Sequence, residues 1–283
     1  MEKNLSPEPK RLPHEFASRD ALINFIAQLD KAPDDMAAGS HPPDRRASPI
    51  IGGRQAALAA LAKIDPVAYA SSRNHLNGAV TGLSAYIRHG VLSLGEVRDH
   101  ALATVGTAKQ AEKFIQELAW RDYWQRLYAS APDSIWTDVE AYKTGFSADD
   151  YENELPEDIA AGKTGVACID GFIGMLLDTG YLHNHARLYV AAYVVHWRRI
   201  KWQAGARWFL QQLIDADPAS NNLSWQWVAS TFSNKPYFFN LENVARYVGP
   251  DIDVTPAANA PLAHSYERLE TLLFPHRAPD GER

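Results

Sequence analysis

From Gly53 onward the apolar residues recur at helical spacing, with Leu58, Leu61 and Ala62 marking a first amphipathic helix. Residues 1–50 lack that period. KAPDDMAAGSHPPDRRASP is rich in proline, glycine and charge, and reads as an irregular arm. Leu22, Phe25 and Ile26 predict one short helix there, around Arg19 to Gln28. Thr81-Gly82-Leu83-Ser84 precedes AYIRHG, with Thr81 and Ser84 as candidate N-caps and Gly90 as the stop. Phe114/Leu118, Trp120/Trp124 and Tyr123/Leu127 recur one helical turn apart and predict a helix over 111–128. The acids Asp149, Asp150, Glu152, Glu154, Glu157 and Asp158 predict a solvated loop. After Cys168, the stripe Ile169, Phe172, Ile173 and Leu176 predicts a helix that Thr179-Gly180 ends. Residues 186–195 are apolar almost all round, as in a buried helix. Val190 to Val195 alone also fits a strand, but the flanking pattern favours helix. Ile200, Ala204 and Trp208 continue the period. After residue 250 the chain reads as a proline- and alanine-rich tail with a short helix at Tyr266 to Leu273. No strand–helix alternation, phosphate loop or fixed-period repeat interrupts this pattern. The expected fold is all-α.

Composition bounds the setting. The chain has 283 residues, 46% of them hydrophobic, enough for a substantial core in one large domain or two small ones. Its single cysteine, Cys168, excludes an intrachain disulfide and points to a reducing cytoplasm. The first residues carry no basic-then-apolar leader pattern, and no apolar run reaches the ~18 residues that span a bilayer. A net charge of −6 argues against an indiscriminate nucleic-acid coat. It leaves room for a local basic groove, for which Arg187, Arg198, Arg199, Lys201 and Arg207 are candidates, with Arg73, Arg121 and Arg126 as possible neighbours.

The densest candidate chemistry lies in LIDADPASNNLSWQW, residues 213–227. Asp215, Asp217, Asn221, Asn222, Trp225 and Trp227 fall together there. Unpaired charges are costly to bury beside large aromatics, so this mixture suits a ligand that is both aromatic and polar, such as a flavin nucleotide or a nucleobase. Hydroxyls and free backbone N–H groups at Thr81–Ser84 suit an anion, although an ordinary N-cap is their commoner meaning. Glu117, Arg121 and Asp122 are equally consistent with a surface ion-pair ladder. His183 and His185 do not share a helical face, so no metal site is expected. A buried Arg187 needs a carboxylate, and Asp215 is the candidate.

KTGVACIDGFIGMLLDTGYLHNHARL followed by LIDADPASNNLSWQWVAST closely resembles the flavin-binding helical domain of the DNA photolyase/cryptochrome family. YASSRNHLNGAVTGLSAYIRHGVLS and QELAWRDYW resemble that domain's earlier signatures, in order, so the resemblance runs from about Gly52 to Tyr247. It implies FAD as cofactor, with Tyr69, Thr81, Leu83 and Ser84 holding its phosphates and ribityl chain, and Gly82 and Arg121 among the other cofactor-binding residues. It also implies an Arg187–Asp215 ion pair beside the isoalloxazine, Asp217 at the flavin edge and Asn221 facing its N5. Trp225 and Trp202 match the inner and middle members of an electron-transfer chain whose outer position is Tyr142, a departure from the usual tryptophan. Trp120 and Trp227 match the aromatics that flank a flipped pyrimidine dimer. Glu117 and Asn184 match polar contacts to that dimer, and Arg73 a contact to the DNA backbone.

His185 stands where many members carry arginine, Leu188 replaces a methionine, Gly82 a serine, and Phe114 a tryptophan; STFSNKPYFFN lacks the usual glycine and Asn-Pro step. The resemblance starts after the family's α/β antenna domain, so residues 51–250 are expected to bind FAD with no antenna chromophore. The implied activity is light-driven splitting of cyclobutane dimers in UV-damaged DNA by a monomer. Asn184 stands where enzymes acting on (6-4) lesions carry histidine. The alternative is a blue-light receptor that keeps the flavin, does no repair and acts on a signalling partner.

Overall fold

The computed structural model describes residue 13 and residues 15–29 and 48–277. The chain forms two compact units, residues 1–40 with 45–47, and residues 41–44 with 48–283. In the first, helix α1 (Arg19–Leu29) starts where Ser18 Oγ accepts from Ala21 N at 3.1 Å, and Phe16 packs on Phe25 at 5.2 Å between centroids.

The second unit is helical throughout. Its elements are α2 (Arg54–Leu61), α3 (Pro66–Ser72), α4 (Ser84–Arg88), α5 (Leu94–Ala103), α6 (Ala108–Ser130), α7 (Glu157–Ala160), α8 (Ala167–Thr179) and α9 (Asn184–Ala192). Then come α10 (Trp202–Gln212), α11 (Pro218–Ala229), α12 (Leu241–Tyr247) and α13 (Tyr266–Leu273). Among the described residues the only β pairing is one isolated bridge, Glu152 with Ile200. Local chemistry sets the boundaries. Asp65 accepts from Val67 N and Ala68 N ahead of Pro66, Ser93 and Glu96 form a reciprocal cap on α5, and α8 stops at Gly180 in the left-handed conformation.

Two apolar clusters hold this unit together. The larger centres on α8 to α11 and buries Phe172, Tyr189, Trp202, Phe209 and Phe239; the smaller joins α2, α4, α5 and α6 through Leu61, Leu83, Val97 and Phe114. The run 186–195 is a buried helix as expected, and it ends in a π-turn over Tyr193–Trp197. The helical spans expected at Arg19, Cys168 and Tyr266 are all present.

Several expectations are corrected. Neither Thr81 nor Ser84 caps α4: its N-cap is Leu83, without a side-chain bond, and Thr81 Oγ1 accepts from Leu83 N at 3.3 Å. The acidic stretch is not a plain loop, because Tyr151 and Leu155 are buried within it and Asp158 pairs with Arg198 at 2.7 Å. The segment after residue 250 packs on the body, with Ile252, Leu262, Leu269 and Phe274 buried. Four of the five cations clustered in sequence are engaged locally. Arg187 pairs with Asp215, Arg198 with Asp158, Arg199 lies over Phe146 at 3.8 Å and Arg207 over Trp136 at 5.0 Å.

Two buried histidines make the fold acid-sensitive. Burial, the largest influence, pushes His183 down to about 4 and His196 to about 3. Both are neutral at pH 7, and His196 Nε2 faces Val228 O at 3.0 Å while its Nδ1 has no partner among the described residues. In the unfolded chain each titrates at the ordinary imidazole value, so below it the unfolded state takes up the proton first. Their contribution is whole above pH ~6.5 and is lost progressively as pH falls towards 4 for His183 and 3 for His196. Thermal melts between pH 7.5 and 5 should show a falling midpoint. A His196→Gln variant should show a shallower fall, and an unchanged slope would exclude His196 as a cause.

Candidate functional site

Two adjoining cavities open in the second unit and share Ser84, Arg121 and Asn184 in their walls. The first measures about 650 Å³ to its mouth, and Arg187, Asp215, Asp217, Asn221 and Trp225 are among its lining residues. The second, about 1030 Å³, is lined by Tyr69, Arg73, Thr81, Gly82, Leu83 and Glu117 among others.

The loop between α10 and α11 builds the polar floor of the first cavity. Asp215 is buried and takes both its bonds from Arg187 Nη2, at 2.7 and 3.0 Å, while Arg187 Nε donates to Leu182 O at 2.7 Å. Asp217 is the N-cap of α11, accepting from Ser220 N at 3.1 Å, and Gln125 of α6 donates to its other oxygen. Pro218 at the first helical position needs no amide partner. One turn on, Asn221 Nδ2 donates to Ala206 O and Asn222 Oδ1, at 3.1 and 2.9 Å. Its carbonyl oxygen has no partner among the described residues.

Trp225 forms an apolar wall. It is 2% exposed, packs edge-on against Phe209 at 5.0 Å, and lies directly over Gly205 of α10. A Cβ at Gly205 would sit 2.2 Å from Trp225 Cη2. Gly205→Ala is therefore expected to displace the indole into the cavity and cost ~1–3 kcal/mol by overpacking. Denaturant unfolding checks the cost, and wild-type stability would contradict this packing.

The second cavity has a different character. Tyr69 stacks edge-on with Phe114 at 5.1 Å, and burial, reinforced by Glu117, pushes its phenol up to about 12. Gly82 takes a φ of 64°, a left-handed turn that a serine would adopt only with strain. At the junction, Arg121 has no ion pair or hydrogen bond among the described residues. A half-buried free cation beside hydroxyls and backbone amides suits a phosphate.

Residues 114–253 match the family described as the FAD binding domain of DNA photolyase. A deoxyribodipyrimidine photo-lyase of Streptomyces griseus is 33% identical over 58% of this chain and 35% of its own length. The chain belongs to the DNA photolyase/cryptochrome family. The crystal structure of an archaeal photolyase from Sulfolobus tokodaii, solved with two FAD molecules, superposes with a TM-score of 0.60 at 29% identity. That match covers 71% of this chain and 46% of the other. A cryptochrome of Synechocystis sp. PCC6803 shares the fold, with a TM-score of 0.62 at 22% identity, covering 83% of this chain and 51% of the other. The chain thus spans about a third to a half of the length of these relatives.

Of the residues that the photolyase resemblance singled out, the structure gathers most around the two cavities. Tyr69, Thr81, Gly82, Leu83, Arg73 and Glu117 line the second; Arg187, Asp215, Asp217, Asn221 and Trp225 line the first; Ser84, Arg121 and Asn184 line both. Trp120, Trp227, His185, Trp202 and Tyr142 line neither. Trp120 and Trp227 are about half exposed. Trp120 stacks on Trp124, whose far side meets Phe232, and Trp227 packs on Tyr237, so α6 and the segment after α11 carry an aromatic surface. The spacing of α6 predicted the helix, and Trp120 and Tyr123 lie on its exposed side.

Glu117 is already engaged by Lys113 at 2.7 Å and Arg73 at 3.6 Å. His185 is not brought to the cavities: its Nδ1 contacts Asn74 O at 2.8 Å and its ring stacks on Tyr189 at 4.6 Å. Gln125 escaped the sequence reading, although it lies one helical turn beyond Arg121 on α6. Its partner Asp217 is too distant in sequence for a local pattern to disclose.

Proposed function

We propose that this chain binds FAD across the two cavities and repairs cyclobutane pyrimidine dimers in DNA by light-driven electron transfer. The observation that carries the flavin is the complementarity of the two ends. A free guanidinium, Arg121, stands at the junction, and a carboxylate-held Arg187, an uncommitted Asn221 carbonyl and the Trp225 indole surround the first cavity. Tyr69, Thr81, Gly82, Leu83, Ser84 and Arg121 would hold the phosphates and ribityl chain; Arg187, Asp215, Asp217 and Asn221 would hold the ring. FAD held there would supply, once reduced and excited by blue or near-UV light, the one-electron chemistry that splitting a cyclobutane dimer requires.

The remaining work falls to the protein. Trp120 and Trp227 offer stacking faces to an extruded dimer and offset its lost base stacking. Asn184, exposed at the shared rim, and Glu117 supply hydrogen bonds, and Arg73 a cation for the backbone. Trp225 and Trp202 would relay electrons that keep the cofactor reduced; Tyr142 stands at the outer position that the resemblance implies. We keep FAD as the sole chromophore. A receptor reading without repair draws on His185, which is sequestered by Asn74 and Tyr189 instead of facing the cavity rim.

Reconstitution with FAD, followed by titration with oligothymidine, tests the proposal. One flavin per chain and clearly tighter binding of the dimer-bearing strand are expected. Equal affinity for damaged and undamaged strands would remove the repair reading and leave the receptor.

A further inference from the structure

Trp202 is fully buried, and its Nε1 donates to Asp138 Oδ1 at 2.6 Å, the short end for a charge-assisted bond. Gln203 Nε2 donates to the same oxygen at 3.1 Å. Asp138 belongs to neither cavity, and nothing in its sequence neighbourhood marks it. Its loop is nevertheless fastened to the end of α11. Val139 N donates to Gln226 Oε1 at 3.1 Å, Gln226 Nε2 to Ser134 O at 2.7 Å and Glu140 N to Thr231 O at 2.9 Å. The carboxylate is therefore held in place, on a residue that is only partly buried.

Tyr142, the next member expected in the relay, lies in the opposite setting. It is 9% exposed, its ring stacks on Tyr151 at 4.4 Å, and its hydroxyl has no hydrogen-bond partner among the described residues. Burial, then the Asp138 and Tyr151 charges, push its phenol far above the ordinary tyrosine value. A phenol gives up an electron readily only when its proton has somewhere to go. Tyr142 has no acceptor, whereas Trp202 has one in direct contact.

We propose that Asp138 is the proton acceptor for oxidised Trp202, so that the relay ends there, as a neutral indolyl radical, and not at Tyr142. The inference rests on the reading that Trp225 and Trp202 relay electrons to a flavin. Trp202 loses one electron, by way of Trp225, to light-excited oxidised flavin. Oxidation makes the indole a far stronger acid: the Nε1–H bond breaks, its electron pair stays on nitrogen, and the proton forms an O–H bond at Asp138 Oδ1. Asp138 then releases the proton to water, and an external thiol returns a hydrogen atom to the indole, leaving a thiyl radical; two such radicals couple to a disulfide. Proton loss also raises the barrier to electron return, because the hole no longer carries the charge that attracts it. Asp138 is a positioning and proton-accepting residue for Trp202; it does not touch the flavin.

Transient absorption of the FAD-loaded, oxidised protein after a blue flash tests this, because protonated and neutral tryptophan radicals differ in spectrum. The wild type should show a cation radical that converts to the neutral form, more slowly in deuterated water. Asp138→Asn keeps the shape and an acceptor oxygen but removes the base. It should retain flavin, hold the radical in its cationic form and shorten its lifetime about tenfold, the effect of ~1.4 kcal/mol. A cation that never converts in the wild type would overturn the proposal, as would a tyrosyl signal that Tyr142→Phe abolishes. The deuterium measurement on the wild type stands if the variant folds poorly. Undiminished photoreduction in Trp202→Phe would instead refute the relay itself, and Asp138 with it.

Discussion

Trp227→Ala should abolish light-driven repair while leaving flavin binding and photoreduction intact. The indole is 41% exposed, lines neither cavity and rests on Tyr237 at 5.5 Å, so its removal leaves the core and the flavin walls untouched. What it removes is a stacking face. Base–aromatic stacking contributes ~1–3 kcal/mol per base, which converts to roughly five- to 150-fold weaker capture of an extruded dimer. Misplacement of the dimer relative to the electron source should extend the loss from affinity to rate. Steady illumination of damaged oligothymidine gives the repair rate, and the bleaching of oxidised flavin gives photoreduction. Unimpaired repair would take Trp227 out of the lesion site.

Asp215→Ala should have the largest effect on the protein itself. Its side chain is 2% exposed and supplies the only anionic partner of Arg187 among the described residues, the Arg187 side chain itself being 25% exposed. Deleting the carboxylate strands a guanidinium in the cavity wall, a change that costs ~3–5 kcal/mol where one member of a buried pair is lost. The cation would also be free to swing away from the ring site. Flavin content after purification should drop sharply, and the unfolding midpoint should fall with it. Arg187→Met removes the cation but leaves Asp215 buried and bare, so it should be no milder. Full flavin content in Asp215→Ala would show that the pair is structural only.

Helical periodicity carried most of the fold. The stripe Ile169, Phe172, Ile173 and Leu176 and the span Tyr266 to Leu273 were legible because burial on one face of a helix leaves a local record in the chain. Arg187–Asp215 was legible for a different reason: a cation in apolar company needs an anion, and few were on offer. Asp138 was not, because it lies in a loop and meets Trp202 only through the tertiary fold. Gln125 meets Asp217 across two helices, for the same reason. The aromatic spacing of α6 disclosed the helix but not its exposed face, since period alone does not say whether a stripe faces a core or an opening. Proximity in sequence does not disclose partners: carboxylates take up Arg187 and Arg198, and rings take up Arg199 and Arg207.

The most direct test of the central claim is repair by the purified, FAD-loaded and reduced protein. Dimer-bearing oligothymidine would be followed by its ultraviolet absorbance, in blue light and in the dark. The account predicts recovery of thymine absorbance in light only, at a rate that follows the flavin absorption. No recovery in light, with flavin bound and still reducible, would contradict it and make the receptor reading the better one.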